Sequence, residues 1–244
     1  MTPALILWLL LMGPVVASFM TALADRVCAG TPLLAPRSHC ASCKTPIRAL
    51  DLIPILSWPI LRGRCRACGA TIPARLWLAE LAGLALVALA VWRGESGTEA
   101  IVGAAYLLIL LGLFQTDLGC MRLPDMLTLP LLVAGIGLGT LSRGVGPTLL
   151  AAIIGPLVLW LIGAAYRRTR GRAGLGFGDV KMMAGLSAAV GLIALPWVTL
   201  LAALSALGVA MLSRARGGDV SRTRPVAFGC HLAVAGAVVW LALD

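Results

Sequence analysis

The sequence predicts an all-α polytopic membrane protein of about eight transmembrane helices, with one cytoplasmic cysteine domain inserted after the first. Three observations predict it. Of 244 residues, 60% are hydrophobic and only 12% are charged. Several apolar runs are 16 to 20 residues long, about the length that crosses a bilayer. The one long polar segment carries two C-x2-C pairs, the spacing of a zinc knuckle.

The first apolar run covers residues 3–20, and no basic residue precedes it. A cleaved signal peptide is the alternative, because "TALAD" at 21–25 has the small residues of a cleavage site. Cleavage would leave the most basic loop outside, against the charge pattern described below. The polar segment 21–75 follows. Further spans are read at 76–92, 101–116, 126–141, 148–166, 182–195, 197–213 and 226–243. Gly, Pro or Arg separates most of them, and the break at Pro196 in "GLIALPWVTL" is the weakest. The expected domains are therefore a first transmembrane helix (1–20), a cysteine domain (21–75) and a seven-helix membrane domain (76–244).

Charge fixes the orientation. With the N-terminus outside, the cytoplasmic gaps hold eighteen of the twenty Lys and Arg residues, Arg172, Arg222 and Arg224 among them, and the other side keeps only Arg93 and Arg143. One helix more or fewer would scramble that bias. The net charge of +10 thus records topology and contact with anionic lipid, and no nucleic-acid partner is expected.

In "RSHCASCKTPIRALDLIPILSWPILRGRCRACGATIPAR", Cys40 and Cys43 are separated from Cys65 and Cys68 by 21 residues. Each C-x2-C turn aims two sulfurs at one centre, so four thiolates close a tetrahedral shell around zinc. Two disulfides or four unbound thiols are the alternatives, and a reducing cytosol disfavours the first. A metal would supply folding energy that so short a segment lacks, and four cysteines leave no open position for a substrate, so the expected role is structural. Cys28, Cys120 and Cys230 are scattered, as small packing residues are.

Ten acidic residues occur in the chain. Asp117 closes the third span in "LGLFQTDLGCMRLPDMLTLP" and Asp179 opens the sixth in "GRAGLGFGDVKMMAGL", both at cytoplasmic helix ends. Two carboxyls that share a proton can divide base and acid roles toward a water and a scissile carbonyl. Alternatively, each simply anchors a helix end at the interface. Asp125, after Pro124, has the position of an N-cap. Gly174, Gly176 and Gly178 would admit a close partner helix or an extended substrate. Glu80 lies inside the second span, where an acid is a functional candidate or a partner for Arg75.

Together these segments resemble the type IV prepilin peptidases, bifunctional leader peptidases and N-methyltransferases of bacterial inner membranes. "ASFMTALADR" resembles the family's first helix end, the cysteine segment through "LWLAEL" its cysteine domain, and "TDLGCMRLPDMLTLP" and "GFGDVKMMAGL" its two catalytic segments, the second with the Gly-x-Gly-Asp signature. The resemblance implies that Asp117 and Asp179 are the catalytic dyad, that Gly176 and Gly178 belong to the signature, and that Lys181 and Glu80 support the site. It implies cleavage of prepilins and pseudopilins just after a glycine on the cytoplasmic side of the inner membrane, for type IV pilus biogenesis or type II secretion. Methylation of the new N-terminal residue, usually phenylalanine, with S-adenosylmethionine follows, and the cysteine domain goes with that second activity. Gly119 stands where the family often has a second acid.

No Rossmann fingerprint offers a cofactor site, so the residues that bind S-adenosylmethionine are unassigned. A peptidase without methylation is the nearer alternative. A proton-coupled transporter or zinc-tethered scaffold is the remote one, and the internal repeat common in transporters is missing. The sequence sets no oligomeric state and names no particular pilin.

Overall fold

The structure is a computed structural model that describes residues 1–32, 37–171, 174–216 and 227–243. Arg172, Arg222 and Arg224 lie outside the described residues. Among those described there is no strand, only the isolated bridges His39 with Pro46 and Arg64 with Thr71. The helices are α1 (Pro3–Ala29), a 3-10 turn (Ala49–Leu52), a short α2 (Ser57–Ile60), α3 (Ala74–Arg93), α4 (Gly97–Cys120), α5 (Asp125–Arg143), α6 (Val145–Arg170), α7 (Phe177–Val190), α8 (Leu195–Ala215) and α9 (Phe228–Ala242).

Each of the eight expected spans falls on one long helix. Six of these, α1, α3, α4, α5, α6 and α8, are long and apolar enough to cross a membrane, and the chain is a multi-pass membrane protein. The other two, α7 and α9, have 14 and 15 residues. At 1.5 Å per residue they reach only about 21 to 23 Å, short of a hydrocarbon core. Burial explains why α7 is stable at that length: Met182, Met183, Leu186, Ala188 and Val190 are all buried, so protein shields its backbone from lipid.

The chain divides into two compact units, Met1–Gly112 and Leu113–Asp244. In the first, α1 packs on α3. A side chain at Gly13 would lie 2.9 Å from the Gly83 carbonyl, and one at Gly83 would collide with Ala17, so small residues set the approach of the two helices. Helix α1 extends past its expected end at residue 20 to Ala29. There Gly30, at φ 66°, closes it with its N–H on Val27, and the Thr31 N–H returns to Arg26, a left-handed glycine cap.

In the second unit α7 is central, packed on α5, α6 and α9, while α8 packs on α9. Gly135 faces the Gly185 carbonyl, Gly139 the Ala188 carbonyl and Gly155 the Ser187 hydroxyl, each too close for a Cβ. Helices α5 and α7 run parallel and are tied at both ends. Lys181 pairs with Asp125 at the start, and Arg143 Nη2 donates to the Ala188 and Ala189 carbonyls at 2.7 and 3.0 Å at the finish. Because these starts share one end with the last turn of α4, the acids at 117, 125 and 179 gather there. Arg93, the other cation expected outside, pairs with Glu99 at 2.6 Å.

Candidate active site and metal centre

Both acids singled out from the sequence lie in the second unit and are buried, Asp117 at 4% and Asp179 at 7% exposure. Neither acid is therefore an exposed interfacial anchor, although Asp179 does cap a helix end. Asp179 is the third residue of α7. Its Oδ2 accepts the N–H of Gly176, the residue just before the helix, at 3.2 Å. The carboxylate thus caps the helix that carries it, one half of a capping box.

Asp117 lies in the last turn of α4, and its own carbonyl accepts the Met121 N–H at 2.8 Å, with Met121 turned to φ 52°. The chain reverses there and delivers Leu123 to the site. A Cβ on Gly178 would lie 2.9 Å from Leu123 Cβ, and one on Gly229 would lie 2.9 Å from Leu123 Cδ1. Leu123 therefore wedges between the Gly-x-Gly-Asp turn and the first turn of α9, in a slot only glycine leaves open. Asp117 Oδ2 in turn accepts the Cys230 N–H at 2.7 Å. Leu123 thus touches both the turn that carries Asp179 and the turn that holds Asp117, which gathers the two acids in one cluster.

The three glycines thus have separate reasons. Gly174 lies against the Tyr166 ring, Gly176 donates to Asp179, and Gly178 receives Leu123. Lys181 takes Asp125 as its partner and stands 5.2 Å over the Phe177 ring. Asp125 is correspondingly the first residue of α5 and makes no side-chain cap; Pro124 holds the cap position. The proposed N-cap role of Asp125 is corrected by that ion pair, which draws its carboxylate away from its own helix end.

Glu80 stands in the first unit, on α3. Its Oε1 accepts the Ser18 hydroxyl at 2.8 Å and its Oε2 the Ile55 N–H at 2.7 Å. Arg75, the partner considered for it, binds Asp25 at 3.0 Å instead. Ile55 has φ 66°, a strained conformation for a β-branched residue. The Trp77 indole N–H donates to its carbonyl at 3.0 Å, so the peptide is gripped from both sides. Trp77 stacks on Trp58 at 5.1 Å, and the Trp58 indole N–H donates to the Ile72 carbonyl at 3.1 Å.

This clamp carries the four cysteines. The two knuckles repeat one backbone pattern: the Cys40 N–H donates to Thr45 and the Lys44 N–H to Cys40, as the Cys65 N–H donates to Ala70 and the Gly69 N–H to Cys65. The residue after each second cysteine, Lys44 at φ 60° and Gly69 at φ 72°, is left-handed. All four sulfurs lie within 4.8 Å of one another, and Cys40 and Cys68 are 3.8 Å apart. A tetrahedral ZnS4 centre with bonds of about 2.3 Å has edges of about 3.8 Å, so the donor set fits zinc. The Thr45 hydroxyl, 3.3 Å from Cys43 Sγ, and the Thr45 backbone draw that thiol down to about 6, while Cys68, beside Cys43, is pushed up to about 11. Arg66, inside the second knuckle, grips Asp51 at 2.7 Å and holds its carboxyl below the usual range.

Sequence reasoning singled out both acids, which are buried here, and all four cysteines, which cluster, but not Leu123, Gly229 and Cys230, which pack around Asp117. The glycine at 229 was a visible signal, since it opens the last apolar run. Its address, against Asp117, is a property of packing.

A family model for the bacterial peptidase A24 N-terminal domain matches residues 11–94, and the model of the type IV leader peptidase family matches 104–211. Three proteins named prepilin leader peptidase/N-methyltransferase are similar over most of the chain. That of Aeromonas hydrophila is 39% identical over 86% of this chain and 72% of its own length. That of Burkholderia pseudomallei is 39% identical over 84% and 67%, and that of Neisseria gonorrhoeae 35% over 87% and 73%. No solved structure matches. With the paired acids, the Gly-x-Gly-Asp turn and the cysteine knuckles in place, the chain belongs to the type IV prepilin leader peptidase family.

Proposed function

We propose that this protein removes the leader of type IV prepilins and pseudopilins after a glycine, and then methylates the exposed N-terminal residue, usually phenylalanine, with S-adenosylmethionine as methyl donor. The observation that carries the first activity is the burial of Asp117 and Asp179 in one cluster, each accepting a helix-terminal N–H. Two carboxyls in mutual reach share a proton, so one takes a proton from water while the other donates to the scissile carbonyl oxygen. Gly176 and Gly178 support that pair as described above. The reaction lies at the cytoplasmic face of the inner membrane, where a substrate with a basic leader and an apolar helix presents its cleavage point.

The cysteine segment, residues 21–75, is the part we associate with methylation. Cys40, Cys43, Cys65 and Cys68 would hold zinc as a closed structural centre that fixes the two knuckles. Glu80 and Trp77 anchor the segment to α3 through Ile55.

Mass spectrometry of a co-expressed prepilin tests the reading. Wild type should give cleavage with a gain of about 14 Da, one methyl for one hydrogen. Asp179→Asn should give neither, and Cys40→Ser with Cys43→Ser should give cleavage without the gain. Unchanged processing in Asp179→Asn would refute the dyad. A mature but unmethylated product from wild type would reduce the enzyme to a peptidase.

A further inference from the structure

The first turn of α9 enters the site in a way neither catalytic segment announces. Phe228, Gly229 and Cys230 are its first three residues, so their N–H groups have no partner within the helix. The Cys230 N–H is not left open: it donates to Asp117 Oδ2 at 2.7 Å, across 113 residues of sequence. Gly229 makes that approach possible, since a Cβ there would lie 3.0 Å from Asp117 Cγ and 3.1 Å from Oδ2. Two independent features, a donor and a slot, therefore aim α9 at one carboxyl.

The two acids are not held alike. The Cys230 to Asp117 bond, at 2.7 Å, has the length of a charge-assisted hydrogen bond. The Gly176 to Asp179 bond, at 3.2 Å, is at the long limit for N–H to oxygen. A backbone N–H only donates, so it favours the ionised form of whichever carboxyl it holds more tightly, and the α9 macrodipole adds in the same sense. Two carboxyls in mutual reach do not both ionise readily.

We propose that the N-terminal turn of α9 is a positioning element of the peptidase, with the Cys230 N–H holding Asp117 as the ionised base and thereby leaving the shared proton on Asp179. This rests on the dyad reading above and assigns the roles within it. Asp117 takes a proton from water as the water oxygen bonds to the scissile carbonyl carbon, and Asp179 gives its proton to the carbonyl oxygen. Asp117 then passes its proton to the departing amide nitrogen as the C–N bond breaks, and Asp179 recovers a proton from the gem-diol. One water is consumed, and both acids return to their starting states.

The test compares cleavage kinetics of wild type, Asp117→Asn, Cys230→Pro, Cys230→Ala and Gly229→Ala in detergent-purified full-length enzyme. Proline is tolerated in a helix's first turn, where no intrahelical bond is lost. Cys230→Ala removes only the thiol, which donates to the Ala227 carbonyl at 3.0 Å, whereas Cys230→Pro removes both the thiol and the N–H. Its kcat should fall roughly a hundredfold with KM little changed, the scale of losing one preorganised donor. Cys230→Ala restores the N–H and should recover most of that loss. Gly229→Ala sets a methyl against Leu123 and Asp117 and should lower kcat about tenfold, with the thermal midpoint measured beside it to separate lost packing from a displaced carboxyl. Wild-type kcat in Cys230→Pro, with Asp117→Asn dead, would overturn the proposal and spare the dyad. Cleavage by Asp117→Asn would instead sink the dyad itself. If Cys230→Pro does not fold, Gly229→Ala decides: unchanged kcat at unchanged stability overturns the proposal.

Discussion

Cys40, Cys43, Cys65 and Cys68 stand on two exposed or half-exposed loops whose shape comes from hydrogen bonds between residues at most nine positions apart. Asp117 and Asp179 are buried and owe their positions to α4, α7 and α9, segments far apart in sequence. The comparison separates two ways of building a site. The cysteine loops make their donor geometry locally and lack the buried apolar contacts that would hold it, so a bound metal would supply the energy. Beyond the cap that Asp179 makes with Gly176, the acids owe their geometry to glycine-lined helix contacts, as Gly135 against Gly185 and Gly178 against Leu123 show. The first site should therefore fail by losing metal and the second by losing a functional group or an ångström of packing.

The sharpest break of that contrast is at the dyad. Asp117→Asn and Asp179→Asn keep side-chain shape and remove the ionisable oxygen, so each should lower kcat for prepilin cleavage by about three orders of magnitude or more, with KM little changed. Zinc content should stay at the wild-type level in both. A loss confined to KM would place these acids in substrate binding instead.

Stripping the metal should do the reverse. Dialysis against a strong chelator, or Cys65→Ser with Cys68→Ser, should abolish methylation and make the loops proteolytically labile between the knuckles, while cleavage stays within about threefold. Loss of cleavage in parallel would show that the two regions are not separable.

A smaller effect is expected where the cysteine segment meets α3. Glu80→Ala leaves the Ile55 N–H and the Ser18 hydroxyl without their acceptor, a loss of about 1.5 to 3 kcal/mol for bonds to a charged group. Ile55 at φ 66° would be free to relax. Limited proteolysis of residues 44–64 should accelerate roughly tenfold, and Glu80→Gln, which retains one carbonyl oxygen, should fall between. Equal proteolysis rates in all three would mean that the clamp does not hold the segment.

Much of this was legible in the sequence because its signals are local or periodic. Apolar runs set the helices, and the C-x2-C spacing set the knuckles down to their shared partner. The Gly-x-Gly-Asp turn and the acid before "RLPD" marked the dyad. What stayed hidden depends on neighbours that no spacing encodes. Cys230 read as a packing residue because its thiol is unremarkable; its contribution is a backbone N–H, which every residue but proline has. Glu80 read as a candidate partner of Arg75 because the two are five positions apart, whereas its partners are 62 residues before it and 25 before it. The burial of α7 inside protein stayed hidden because hydropathy measures apolar length and not whether lipid or protein covers it.

The smallest effect should come from Lys181, although it sits two residues from Asp179, a proposed catalytic acid. Its ammonium pairs with Asp125 rather than Asp179, and both side chains are substantially exposed, 36% and 62%. Exposed pairs contribute about 0.2 to 1 kcal/mol and weaken as salt rises. Lys181→Ala should therefore change kcat by less than about threefold and lower the thermal midpoint by only a degree or two, an increment that vanishes in high salt. Arg143→Ala, at the other end of the same helix pair, removes a half-buried donor to two α7 carbonyls and should destabilise more. If Lys181→Ala instead cost tenfold or more in kcat at unchanged stability, its charge would be acting on the dyad. The start of α7 would then be tuned by electrostatics as well as by the backbone donors that cap its acids.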